Sequence, residues 1–132
     1  MPLIKRSAGK RSKPVLRDVS FEHVRWTFLA RLHGDEVRLA VLHEALGVAD
    51  ECPESAFVDL EMFAHRLRGA AAVFNFPDLR DAAQGVELAA SFASAGHLRV
   101  GEPLVHVAVG ILATRMASLN RMAHASRSYA RD

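Results

Sequence analysis

The feature that most constrains the fold is an apolar stripe that repeats at helical spacing in the middle of the chain. At about 100° per residue its members lie on one narrow face of a helix: they are Leu60, Ala64, Leu67, Ala71 and Phe74. That face is predicted to be the core face of the helix. The rest of the chain must therefore supply the elements that cover it.

Further segments after residue 20 have the same helical periodicity and short polar connections. Ser20 and Asp35 are predicted to cap the first two helices, which a break at Gly34 separates. Pro77 and Pro103 are predicted to open the last two helices. No segment shows a convincing strand-like alternation of apolar and polar residues. The predicted fold class is therefore all-α, as an antiparallel helical bundle.

Length and composition place the chain among soluble globular domains. At 132 residues it has the length of one domain, and 50% apolar with 24% charged residues is typical of a soluble protein. No apolar run approaches the roughly 18 residues of a membrane span, and the N-terminus lacks the apolar region of a secretory signal. The single cysteine, Cys52, excludes an internal disulfide and favours a reducing compartment. A cytoplasmic location is therefore expected.

Charge is distributed unevenly along the chain. Residues 1–17 carry six basic side chains and no acid, a charge of +6, so the remaining residues sum to −4 within the net charge of +2. This basic segment is predicted to be a disordered tail, and residues 127–132 a short C-terminal tail. The basic tail is either an electrostatic arm for nucleic acid, an anionic surface or an acidic partner, or a solvated terminus. The second interpretation is favoured because termini are usually mobile.

His65 lies about 140° from Leu60 on the helical wheel, and hence on the solvent side of the third helix. Gly69 and Ala72 follow at one and two turns, and their small size is predicted to open a shallow hollow that another protein's surface can approach. That access compensates for a glycine that costs about 1 kcal/mol inside a helix. Arg68 can offer charge-assisted donors to an anion. Since a neutral imidazole is a nucleophile at cellular pH, this pattern indicates phosphoryl transfer.

These residues resemble the signature of the histidine-containing phosphotransfer (HPt) domain family of two-component phosphorelays. The resemblance covers about residues 20–122, and it includes the following positions: His65, Leu67, Arg68, Gly69, Ala70 to Ala72, Asn75, Leu79, Val86 and Glu87. Arg68 replaces the commoner lysine and keeps the positive charge. Asn75 replaces the usual glycine, and asparagine is the next-best residue for a left-handed turn. Ala70 and Ala71 stand where small hydroxyl residues are common, so these departures bear on which partner fits.

The resemblance implies an antiparallel four-helix bundle with an additional short N-terminal helix, here over residues 18–126. It implies a phosphocarrier rather than an enzyme, and a free-standing one because the chain has no receiver or kinase segment. His65 is the expected phospho-acceptor, Arg68 the charge-stabilising residue, and Gly69 and Ala72 the residues that give access. The implied partners are response-regulator receiver domains and a sensor or hybrid histidine kinase. The chain is expected to be a monomer that binds no cofactor, with Mg²⁺ on the receiver.

The main alternative is an HPt-like docking module that binds and inhibits a kinase or receiver without being phosphorylated. His65, Arg68 and Gly69 together argue against it, because docking alone does not need all three. Nucleic-acid binding is disfavoured, since the bundle is acidic and the tail has no interleaved aromatic residues. No metal site is predicted, because the remaining histidines lack ligand spacing: His23, His33, His43, His97, His106 and His124.

Overall fold

The computed structural model of the chain describes the backbone of residues 2–48 and 53–131, and the side chains of residues 21–47, 54–97 and 99–125. These residues form four helices: α1 (Pro2–Val48), α2 (Pro53–Val73), α3 (Pro77–Ser94) and α4 (Leu98–Arg131). The described part of the chain contains no strand. The all-α prediction is therefore confirmed. Cys52 lies outside the described residues.

The four helices close into a bundle in which each helix packs against two others. α2 packs on α3, α3 on α4, α4 on α1, and α1 on α2. The connection from α2 to α3 and the one from α3 to α4 are three residues long, which forces the helices they join to run antiparallel. The bundle that the family resemblance implied is therefore present.

The core consists of the apolar stripes predicted on α2 and α3. On α2 the first four residues of the stripe are buried, and Phe74, in the turn just after the helix, is half-buried. On α3 the predicted side is buried along its whole length: Leu79, Ala83, Val86, Ala90 and Ala93. Alanine is the commonest residue in this α2–α3 seam, so the two helix backbones can approach closely. The seam fixes which faces of α2 and α3 remain outside.

The predicted break at Gly34 is wrong, because α1 runs through this position without interruption. Leu32 and Leu39 are both fully buried, one on each side of the glycine. Burying a leucine contributes about 1.5–3 kcal/mol, whereas a glycine in a helix interior costs about 1 kcal/mol. Continuous burial therefore outweighs the glycine. The additional N-terminal helix is continuous with the first helix of the bundle and is not a separate element.

The start of α4 also differs from the prediction, because the helix begins at Leu98 and contains Pro103. Gly96 has a φ of 102°, which ends α3 in a conformation that glycine adopts readily. Gly101 is buried, and a Cβ atom on it would lie 2.7 Å from the Cα of Ala93. This close contact anchors α4 to α3 ahead of the proline, so the helix is already formed where Pro103 follows.

The backbone of α1 is helical from Pro2, where the sequence predicts a tail without regular structure. The side chains of residues 1–20 lie outside the described set, so the boundary of the tail at residue 17 stays a prediction.

One segment among the described residues, Arg99–Ala125 of α4, is long and apolar enough to cross a membrane by length and composition alone. A core helix of a soluble bundle passes the same test, and this helix does contribute core residues: Val105, Val109, Leu112 and Met116. The segment is therefore weak evidence for a span, and the cytoplasmic location stays a prediction.

Candidate functional site

The orientation of α2 places His65 on the outside of the bundle, near the middle of the helix. Its neighbours Ala64 and Leu67 are buried in the core, and this burial fixes the rotation of the helix about its axis. The side chain of His65 is 62% exposed. The predicted solvent exposure of the imidazole is confirmed.

Glu87 of α3 holds the imidazole of His65 from the neighbouring helix. The Nδ1 atom of His65 lies 2.5 Å from the Oε2 atom of Glu87, and only 18% of the glutamate side chain is exposed. An ionised carboxylate can only accept a hydrogen bond, so Nδ1 must carry a proton and donate it. In the neutral ring the other nitrogen, Nε2, then keeps its lone pair. The contact therefore selects the tautomer with a nucleophilic Nε2.

Arg68 pairs with the same carboxylate, through its other oxygen. The Nε atom of Arg68 lies 2.7 Å from the Oε1 atom of Glu87, but the two groups are not aligned for a hydrogen bond, so the contact is an ion pair. The Nη2 atom of Arg68 is 3.3 Å from Nδ1 of His65. Nη2 of Arg68 and Nδ1 of His65 both carry protons in the tautomer that Glu87 selects, so neither accepts a hydrogen bond from the other. Arg68 therefore acts on the ring by its charge.

The predicted access residues both lie on the exposed side of α2. A Cβ atom added to Gly69 would meet no atom within 4 Å, so the surface there opens directly to solvent. A hollow of about 410 Å³ lies next to His65, where Glu61 and Met62 are among its lining residues. Gly69 and Ala72 do not line it. The hollow is thus on the side of the imidazole towards the start of α2, while the glycine leaves the other side flat and open.

Glu87 is the residue of the site that sequence reasoning missed. Its position matches the family pattern, but the pattern alone does not indicate a contact with His65. The turn between α2 and α3 contained a usable signal, since Asn75 has a φ of 63° and is the left-handed turn residue that the resemblance implied. His65 precedes Asn75 by ten residues and Glu87 follows it by twelve. At a rise of 1.5 Å per residue, both lie about 15–18 Å from the turn on antiparallel helices.

The other histidines of the described residues do not form a comparable site. His43 of α1 and His106 of α4 contact each other, with 2.7 Å between Nε2 of His43 and Nδ1 of His106. Burial and the neighbouring charge of His106 lower the pKa of His43. No group of three or more potential metal ligands of the His, Cys, Asp or Glu type occurs within the part of the chain that the structure describes.

Comparison with known protein families gives one result. The Hpt domain family model matches residues 27–128, which is most of the chain and includes the whole site. The chain therefore belongs to the Hpt domain family, whose members are phosphocarrier modules with a histidine phosphotransfer role in phosphorelays. Neither the curated proteins nor the solved structures gave a significant match.

Proposed function

We propose that this protein is a phosphorelay intermediate that accepts a phosphoryl group on Nε2 of His65 from an aspartyl-phosphate receiver domain or a hybrid kinase. It then passes the group to the receiver domain of another response regulator. The observation that carries the proposal is the 2.5 Å contact between Nδ1 of His65 and Glu87, because it leaves an exposed Nε2 with a free lone pair.

The transfer step balances with the groups in the proposal. The lone pair of Nε2 attacks the phosphorus of the receiver's aspartyl phosphate, and a P–N bond forms as the P–O bond to the aspartate breaks. The aspartate carboxylate leaves with the electron pair of that bond. Because Nδ1 keeps its proton, the phosphorylated ring carries a positive charge, which the carboxylate of Glu87 stabilises. Attack by the aspartate of a second receiver reverses these changes and releases the neutral ring.

Arg68 assists this step through charge. Its guanidinium lies beside both Glu87 and the ring, so it attracts the phosphoryl oxygens towards the site. In the unphosphorylated protein the arginine is paired with Glu87, and this pairing also holds the carboxylate in position.

The receiver supplies the remaining catalytic groups in this proposal. It contributes the aspartate, Mg²⁺ and a lysine, while this protein contributes the acceptor and its positioning residues. Phosphoryl transfer depends mainly on such positioning and charge stabilisation. The face of α2 that would meet the receiver has exposed apolar side chains on both sides of His65, among them Met62 and Val73, which suits a protein contact that excludes water.

The alternative is a docking module that uses the same face without being phosphorylated. Incubation with phosphorylated receivers, followed by acid and base treatment, separates the two functions. A phosphohistidine is a phosphoramidate, so the proposed label is lost in acid and retained in base, and peptide mapping places it on residue 65. Stable binding of a receiver with no transfer of label would favour the docking module.

A further inference from the structure

A second surface feature lies between α1 and α2 and does not include the histidine site. It is a groove of about 450 Å³, and none of its lining residues is His65, Arg68 or Glu87. Arg66 lines both this groove and the hollow next to His65. The groove therefore adjoins the histidine site at this one arginine, while its other lining residues do not line that hollow.

One part of this groove is strongly basic. Arg31 and Arg38 of α1 and Arg66 of α2 line it together. Arg31 and Arg38 are seven residues apart, which places them on one face of α1 about 10 Å from each other. None of these three arginines forms an ion pair with an acidic side chain of the described residues. Three guanidinium groups that share a groove repel one another, and a bound anion would relieve that repulsion.

Asp35 is the acidic residue that lines the groove. Burial raises the pKa of this carboxyl, and the charge of Arg31 opposes the shift. The carboxylate therefore offsets part of the arginine charge, and the groove keeps a net charge of +2 from these four side chains.

The other part of the groove is aromatic. Phe28 of α1 and Phe74, in the turn directly after α2, line it, with their rings stacked and their centroids 5.3 Å apart. Phe28 is buried and forms part of the floor. Because Arg31, Asp35 and Arg38 all follow Phe28 along α1, the basic part extends from the aromatic part in one direction. The groove thus has an aromatic end and a basic end.

We infer that this groove binds an amphiphilic organic anion. The anionic head, a sulfonate, phosphate or carboxylate, lies against Arg31, Arg38 and Arg66, and an aromatic or alkyl body lies along Phe28 and Phe74. The volume of the groove is within the range of small-molecule sites, which are about 300–1,000 Å³. Charge and shape together determine the class of ligand. A simple anion leaves the aromatic end uncovered, and a neutral apolar molecule leaves the arginines unpaired.

The probe for this site is 8-anilinonaphthalene-1-sulfonate, whose fluorescence rises when its rings leave water. Its neutral counterpart, N-phenyl-1-naphthylamine, has the rings without the charge. The full chain is expected to bind the sulfonate at one saturable site and the neutral amine at least about tenfold more weakly, since the amine cannot form charge-assisted hydrogen bonds with the arginines. Inorganic sulfate is expected to compete only at much higher concentration, because it lacks the aromatic body.

Single variants test the arginines and the aspartate in opposite directions. Arg31→Gln and Arg66→Gln are each expected to weaken sulfonate binding about tenfold, whereas Asp35→Asn is expected to strengthen it several-fold by removing the negative charge. Arg99→Gln is the matched control, because Arg99 is an exposed arginine on α4 outside the groove. Circular dichroism checks that each variant is folded, so that binding to partly unfolded protein is recognised.

Equal affinity of the wild type and the Arg31→Gln/Arg66→Gln double variant for the sulfonate would overturn the inference. If that double variant also slowed phosphoryl transfer from a receiver, the arginines would be contacts for a partner protein instead. Labelling of His65 is a separate readout, so failure here leaves the proposed phosphorelay function untouched.

Discussion

Two contacts between a histidine and a neighbouring helix can be compared within this bundle. His65 of α2 meets Glu87 of α3 at 2.5 Å, and His43 of α1 meets His106 of α4 at 2.7 Å. A carboxylate partner allows only one arrangement of the proton, so it fixes the tautomer of His65. An imidazole partner allows either ring to be the donor, so the second pair has no fixed nucleophilic nitrogen.

The sequence around the two contacts is similar in one respect. A glycine follows four residues after His65, His43 and His106 alike, and a Cβ atom on any of these glycines would meet nothing within 4 Å. Open space beside a histidine is therefore not what distinguishes the candidate site. Arg68, three residues after His65, has no counterpart, since Leu46 and Val109 hold the corresponding positions. The candidate site is therefore distinguished by charge and not by access alone.

Substitution of His65 tests most directly whether the two histidine contacts differ in function. His65→Gln is expected to abolish labelling by a phosphorylated receiver without unfolding the protein, because an exposed side chain contributes little to the core. His43→Gln is the matched control and is expected to be labelled at the wild-type rate. The measurement is transfer of radioactive phosphate with circular dichroism of both variants. Undiminished labelling of His65→Gln would refute the assignment, because the phosphoryl group would then be carried by another residue.

A second experiment removes the charge that distinguishes the two contacts. Glu87→Gln is expected to slow transfer by about 10–100-fold, the usual loss for a group that orients a reactive histidine from behind. The ¹⁵N chemical shifts of the imidazole provide a readout that a structural role would not change, since the proton should no longer be confined to Nδ1. Asp59→Asn, at an exposed position of α2, is the control. An unchanged tautomer together with an unchanged rate would remove Glu87 from the proposed mechanism.

The role of Glu87 also shows where prediction from the sequence ended. The exposure of His65 depends only on the rotation of one helix, and the stripe of Leu60 and Leu67 fixes that rotation locally. The contact with Glu87 depends on how α2 and α3 are aligned along their lengths, which the turn at Asn75 determines. Periodicity within a helix has no information on that alignment. The exposed histidine was therefore predictable from α2 alone, whereas its partner required a second signal, the position of the turn at Asn75.

The errors in the fold have the same origin. Gly34 and Pro103 are local signals for the end or start of a helix, and both lie inside helices in the structure. In each place contacts between helices outweigh the local preference: Leu32 and Leu39 are buried on both sides of Gly34, and Gly101 packs on Ala93 before the proline. The stripes on α2 and α3 were predicted correctly because local pattern and tertiary burial agree there.

A third experiment asks whether the open surface beside His65 matters for a partner. Gly69→Leu is expected to reduce phosphoryl transfer about tenfold or more, because the new side chain would extend from α2 into the space that a receiver occupies. Stability should stay the same or rise by up to about 1 kcal/mol, since leucine is the better helix former. Gly47→Leu is the matched variant beside His43 and should leave transfer unchanged. Wild-type transfer rates for Gly69→Leu would show that the open surface has no role.

A fourth experiment separates the charge of Arg68 from its geometry. The contact between His43 and His106 has no arginine at the corresponding position. Arg68→Ala is expected to slow labelling several-fold without abolishing it, and Arg68→Lys to recover most of the rate, because a positive charge near the ring is what the mechanism requires. Rate constants for the three proteins with one receiver decide the matter. A lysine variant as slow as the alanine variant would mean that the planar pairing of the guanidinium with Glu87 is essential.

A fifth experiment, with a smaller expected effect, measures how the contact between His43 and His106 changes the pH dependence of stability. The pKa of His43 is lowered in the folded protein by burial and by His106, so the unfolded chain binds a proton there more readily. The contribution of neutral His43 to the stability of the folded protein is therefore present above the unfolded pKa of about 6.5. It is lost as the pH falls below that value. Thermal unfolding between pH 7.5 and pH 5 should show a smaller loss of Tm for His43→Gln than for the wild type. The same scan on His106→Gln should give an intermediate result, because burial still lowers the pKa of His43 when the second imidazole is gone. If Tm depended on pH equally in all three proteins, the pair of His43 and His106 would make no contribution to the pH dependence of stability.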